Sequence, residues 1–109
     1  MPVQLREYSV VLTDFDHIKV RQIRSGHSII EFSVQYNALI ADRWYKLVRF
    51  DNAHGKPHRH VYYPNMREYR QPMTSANNND AFTDAQSVIK KNFIEIRENY
   101  IILMERIGD

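Results

Sequence analysis

Ser28-Ile29-Ile30-Glu31-Phe32-Ser33-Val34-Gln35-Tyr36-Asn37-Ala38-Leu39-Ile40 decides the fold. Ile30, Phe32, Val34, Tyr36, Ala38 and Ile40 alternate with Ile29, Glu31, Ser33, Gln35, Asn37 and Leu39. That period of two places one set on each face of a strand, and a helix cannot use it. Towards the N-terminus, residues 7–13 alternate through Tyr8, Val10 and Leu12, and residues 17–24 offer Ile18, Val20 and then Ile23, whose slipped phase indicates a bulge or a strand end. Asp14-Phe15-Asp16 and Ser25-Gly26 supply the turns. Towards the C-terminus, Ala41-Asp42 turns into residues 44–50, with Trp44, Val48 and Phe50 on one side and Tyr45, Leu47 and Arg49 on the other. Both sides are partly apolar, as in a central or interface strand. Residues 51–57 form a loop, and residues 58–63 return as a fifth strand ended by Pro64.

The composition changes after that. Residues 64–82 are polar, contain Pro72 and the run Asn77-Asn78-Asn79-Asp80, and read as a long connection. Thr83 with Gln86 three residues later then makes a capping-box pattern, with Asp84 in the first turn, so a helix is expected over 83–107 with Gly108 placed to stop it. Ile89, Phe93, Ile96, Tyr100, Leu103 and Ile107 recur at helical spacing as a core stripe, and part of so long a helix is expected to overhang the sheet. Val88, Ile94, Ile101 and Ile102 widen that stripe and favour a homodimer. The expected fold is therefore α+β: one domain over 1–109, an antiparallel meander of about five strands within 4–63, and one long C-terminal helix packed on it.

At 109 residues, 43% hydrophobic and 26% charged, the chain falls outside the disordered and membrane classes and is long enough to bury one core. It has no cysteine, which removes disulfides, thiol nucleophiles and Cys-based zinc sites. Residues 1–14 mix Gln4, Arg6 and Glu7 among apolar residues, unlike a signal peptide or a membrane span, so a cytoplasmic protein without membrane attachment is expected. The net charge of +2 is too small to imply a polyanionic partner. Local clustering does point to one: within 42–70, Arg43, Lys46, Arg49, Lys56, Arg59, Arg67 and Arg70 face only Asp42, Asp51 and Glu68. The same segment holds three of the five histidines, whereas His17 and His27 fall at turns.

In Arg49-Phe50-Asp51-Asn52-Ala53-His54-Gly55-Lys56-Pro57-His58-Arg59-His60, an extended strand points His58 and His60 to one face, and the loop can fold His54 or Asp51 back towards them. Three chemistries suit that arrangement. Imidazoles can remove a proton from a ribose 2′-hydroxyl and protonate the leaving 5′-oxygen while Lys56, Arg49 or Arg59 stabilises the phosphate. Two histidines and a carboxylate can hold a metal. Gly55 and the cations can bind phosphate without reaction, with Tyr62 and Tyr63 stacking on bases. The same residues are equally those of a long hairpin turn with solvent-facing histidines, and Trp44 reads as core or interface rather than as a stacking platform. No Gly-rich phosphate loop, nucleophile elbow or His-Glu-Xaa-Xaa-His run is present. A single C-terminal helix after a sheet leaves no helix-turn-helix pair.

The run from Trp44 through His60 resembles the hallmark of small prokaryotic proteins related to the TumE toxins of toxin-antitoxin pairs. Phe50, Asp51, Asn52, Gly55, Lys56, His58, Arg59 and His60 match its aromatic-Asp-Asn, Gly-Lys and His-Arg/Lys-His elements. Similar loops also occur in uncharacterised prokaryotic families. The resemblance implies two strands of a small sheet joined by this loop and followed by a C-terminal helix. It further implies a metal-independent ribonuclease without cofactor, with His58 and His60 in acid-base roles, Asp51 and His54 orienting them, and Lys56, Arg49 and Arg59 on phosphate. An antitoxin partner is implied with it. The alternative is a non-enzymatic RNA-binding or protein-interaction subunit, a homodimer, using the same basic strand and the C-terminal helix.

Overall fold

The computed structural model describes residues 2–108, and the structure is a six-stranded antiparallel sheet with one long helix, an α+β fold. The strands β1 (Val3–Thr13), β2 (Asp16–Ser25), β3 (Ser28–Ile40), β4 (Arg43–Asp51), β5 (His58–Tyr62) and β6 (Glu68–Pro72) follow one another across the sheet in sequence order, and α1 spans Asn78–Gly108. Among the described residues no helix is long and apolar enough to cross a membrane.

The alternation in β3 sets the layers. Phe32, Val34, Tyr36 and Ala38 pair with Gln22, Val20, Ile18 and Asp16 of β2, and Val34 and Tyr36 pair with Phe50 and Val48 of β4. All of these are buried, and α1 covers them with Ala81, Phe82, Ala85, Ile89 and Tyr100. Gln35 and Ser33 point the other way, so the opposite face of the sheet carries no helix and is polar. Ile102 and Ile107 of α1 remain about half exposed.

Two bulges interrupt the alternation of β3 and β4. Ile23 pairs with Glu31 but Arg24 with Ile29, so Ile30 is the extra residue of a bulge; Ile29 is buried and Ile30 exposed, the reverse of the phase expected from the sequence. Tyr36 pairs with Val48 but Asn37 with Lys46, so Leu47 is the extra residue of a second bulge, and Leu47 and Val48 are both buried. Beyond that bulge Tyr45 faces Tyr100 of the helix, while Trp44 stands half exposed on the open face rather than in the core. Ala41 and Asp42 both take positive φ, the backbone of a two-residue hairpin turn that matches the twist of its strands.

The polar stretch after Tyr63 is more ordered than its composition indicates. It contains the sixth strand, and the helix starts at Asn78, five residues before the Thr83 start expected from the capping pattern. Asn77 is the actual cap: its Oδ1 accepts from the Asp80 N–H at 2.8 Å, and its Nδ2 donates to the Asp80 carboxylate at 3.2 Å. Asn78 and Asn79 then tie the helix start to the β2–β3 turn. Asn79 Oδ1 accepts from the Ile29 N–H, while Asn78 and Asn79 donate to the Ile29 and His27 carbonyls.

At the other end of β2, Asp16 is fully buried and accepts from Thr13, Tyr36 and Arg97. Burial, reinforced by the Asp16 carboxylate, pushes the Tyr36 phenol well above the usual tyrosine range. This cluster joins sheet to helix, away from His54, His58 and His60.

Candidate functional site

Antiparallel register builds the site from the middle of the sheet outward. Arg49 of β4 lies beside His60 of β5, and His60 beside Arg70 of β6; the next rung joins Asp51, His58 and Pro72. Side chains in one rung share a face. Arg49, Asp51, His58, His60 and Arg70 therefore all belong to the open face. His60 is nonetheless only 2% exposed, because its neighbours close over it.

Its ring is held from both ends. Nδ1 donates to Glu68 Oε1, and Nε2 lies 3.3 Å from Asp51 Oδ2, off the direction of a formed hydrogen bond. Arg49 Nε donates to the same Asp51 oxygen at 2.6 Å, and Arg70 Nε stands 3.7 Å from Glu68 Oε1. Two carboxylates and two guanidiniums thus alternate around one imidazole. Burial alone would raise the Asp51 carboxyl, but the Ala53 N–H, Arg49 and His60 outweigh it and hold it below its ordinary value. The hydrogen bond from His60 does the same for Glu68, against a smaller upward push from burial. Both carboxylates are ionised at neutral pH.

The other residues singled out from the sequence divide between two faces. His58 is half-buried, and its Nδ1 lies 2.7 Å from the Lys56 carbonyl. A carbonyl only accepts, so Nδ1 carries the proton and Nε2 is left as the acceptor of the neutral ring. His54 and Lys56 are exposed in the loop, where Gly55 has a φ of 101° that favours glycine. Arg59 is not with them. It pairs with Phe50 and turns to the helix side, where its guanidinium lies 5.7 Å from the Phe50 ring and its buried Nε has no hydrogen-bond partner. There it borders a groove of about 410 Å³ lined by Leu47, Val61, Ile96, Tyr100 and Leu103.

Tyr62 is buried, its ring parallel to His60 at 6.4 Å and covered by Lys46 Nζ at 4.4 Å, so it offers no free face for a base. Tyr63 is exposed just past β5. Asn52 has a structural role: its Oδ1 accepts from the Phe32 N–H at 3.0 Å and its Nδ2 donates to the Ile30 carbonyl at 2.9 Å. Among the described residues no three His, Asp or Glu side chains are grouped to hold a metal ion.

Two features of the face were not anticipated. Glu68 and Arg70 complete the cluster from β6, in a stretch whose polarity hides the strand. Trp44 and His17 stand together, ring centroids 4.3 Å apart, as a partly exposed aromatic pair. Asn37 Nδ2 lies 3.1 Å from His17 Nε2, while burial, with Lys19 nearby, lowers the His17 pKa, so this imidazole is neutral at pH 7.

An antiparallel sheet with one helix-covered face and one open face bearing a histidine-centred cluster of alternating carboxylates and guanidiniums defines the class of protein. Within it the chain belongs to DUF7718, a domain of unknown function, whose family pattern matches residues 3–103. Comparisons with curated proteins and with solved structures return no match.

Proposed function

We propose that this protein is a toxin-like, metal-independent ribonuclease that holds RNA on the open face of its sheet, with His58 as the residue that moves the proton. The observation that carries this reading is the anchoring of His58 Nδ1 by the Lys56 carbonyl, which directs Nε2 to serve as base beside Arg49 and the exposed Lys56. His58 Nε2 takes the proton of a ribose 2′-hydroxyl, the 2′-oxygen attacks the adjacent phosphorus, and the 5′-oxygen leaves with a proton from His54 of the adjoining loop. Lys56, exposed in that loop, and Arg49, on the same face of the sheet, are the cations assigned to the extra phosphate charge. His60, closed from solvent between Asp51 and Glu68, fits a positioning role: it fixes the three strands from which the reacting loop projects. The resemblance of residues 44–60 to the TumE-like toxins points the same way. A cognate antitoxin would act by covering this face.

The burial of His60 favours a second reading, an RNA-binding or partner-binding subunit without turnover, because only His58 of the expected histidine pair is open to a ligand. Here Lys46, Arg49 and Arg70 contact phosphates and Trp44 stacks on a base.

The test is incubation with mixed RNA, with and without chelator, beside His58→Ala and His54→Ala variants whose folding is checked by circular dichroism. The ribonuclease reading expects cleavage that survives chelation and falls at least about 100-fold in folded His58→Ala. Undiminished cleavage by that variant refutes the role of His58. Salt-dependent RNA binding without cleavage selects the second reading, and no binding at low salt removes both.

A further inference from the structure

We infer that β1 is a self-complementary edge through which two copies of this chain join their sheets into one. The proposal stands apart from the ribonuclease reading, because β1 lies at the far side of the sheet from His54, His58 and His60. The two edges of the sheet differ. β6 is five residues long, carries Glu68 and Arg70 and ends at Pro72, features that discourage another strand from pairing. β1 is eleven residues long, and its outer row of backbone N–H and C=O groups has no partner strand among the described residues. It has no proline or lysine, and its one irregularity, the shift between Val11 and Thr13, lies at its end. Val3, Leu5 and Val11 are 62%, 56% and 74% exposed, and Tyr8 is 42% exposed.

The order of these residues selects the occupant and the register. Residues opposite one another in an antiparallel pair share a face, so a two-fold axis through the pair places residue i opposite residue j with i and j both odd or both even. An axis at Glu7 sets the two carboxylates against each other, and an axis at Arg6 does the same for the guanidiniums. Centred on Tyr8, the middle residue of the strand, the pairing sets Leu5 against Val11, Glu7 against Ser9 and Tyr8 against its own copy. This register matches apolar with apolar, opposes no like charges and runs from Leu5 to Val11 without reaching the irregular end of the strand. A second copy therefore satisfies both the open backbone row and the exposed side chains.

Because the chain has no cysteine, single cysteines report the register directly. Under mild oxidation Tyr8→Cys is expected to form a disulfide dimer, Leu5→Cys alone is not, and a mixture of Leu5→Cys with Val11→Cys is expected to give the mixed dimer. In analytical ultracentrifugation the wild type is expected to dimerise. Leu5→Lys/Val11→Lys should weaken the dimer about tenfold or more, and Leu5→Lys/Val11→Glu, which sets opposite charges across the same positions, should restore it. The restored variant also shows that lysine at position 5 is compatible with folding. A wild type that stays monomeric at high concentration overturns the inference. So does a dimer indifferent to the charge pairs, or one that cross-links through Leu5→Cys rather than Tyr8→Cys.

Discussion

Replacing Asn52 with Ala is expected to unfold this protein more readily than any surface change in the same loop. β4 ends at Asp51, opposite Ser33, so the next backbone groups of β3 that point to that side have no strand to meet. The Asn52 amide takes the place of the missing rung: it meets the Phe32 N–H and the Ile30 carbonyl, the latter on the extra residue of the bulge. Phe32 is buried, so its N–H would be left without a partner, at a cost of about 1–3 kcal/mol. Ile30 is half exposed, so water partly replaces the bond to its carbonyl and the lower end of that range applies. Together the loss is about 2–4 kcal/mol, or on the order of 10–30 °C in Tm for a domain of this size. Asn52→Asp keeps the acceptor for Phe32 but sets a carboxylate oxygen against the Ile30 carbonyl, so it should destabilise as well. Urea unfolding followed by circular dichroism measures both. A loss under about 0.5 kcal/mol in Asn52→Ala would refute the reasoning.

Acid should act through the His60 cluster. Asp51 and Glu68 are held below their ordinary values of 3.8 and 4.5, so the stability they contribute is present above those values and lost as pH falls through the depressed ones. Asp51→Asn and Glu68→Gln should each flatten the acid limb of a stability-against-pH curve. Arg97→Met leaves the buried Asp16 with Thr13 and Tyr36 alone and should cost about 2–4 kcal/mol in urea, part of which Asp16→Asn in the same chain should recover. Ala41→Asn with Asp42→Gly supplies the residues that the positive-φ turn prefers and should raise the urea midpoint by an amount worth about 1–2 kcal/mol, with unchanged slope.

Alternation and helical spacing are properties of one segment, and they disclosed the first five strands and the helix. Of the expected stripe Ile89 and Tyr100 are buried, whereas Ile107 is exposed and the buried Ala81 and Phe82 precede the expected start. What they missed depends on a second segment. Nothing in Glu68-Tyr69-Arg70-Gln71-Pro72 alternates in polarity, and all five residues are exposed; only the ladder to β5 and the contact of Glu68 with His60 make them a strand. Thr83 and Asn77 both begin capping patterns, and Asn77 prevails where the next two asparagines reach the β2–β3 turn. The bulges at Ile30 and Leu47 each shift a run of side chains by one place, which is why Ile29 is buried and Trp44 is not.

The same limit shaped the reading of the histidines. Spacing of two correctly implies one face for His58 and His60, but a face says nothing of what covers it. Glu68 arrives from β6 and Asp51 from β4, and between them they remove His60 from solvent while leaving His58 anchored only to its own loop. Two residues alike in sequence thereby acquire different work. His60 is closed in between three strands, so its loss should loosen them before it touches chemistry; His58 opens β5 beside the loop, and its half-buried ring is held by the Lys56 carbonyl, so loss of that ring should leave the floor standing. A His60→Gln variant that is destabilised while a His58→Gln variant is not would support that division, and equal effects of the two on stability would overturn it.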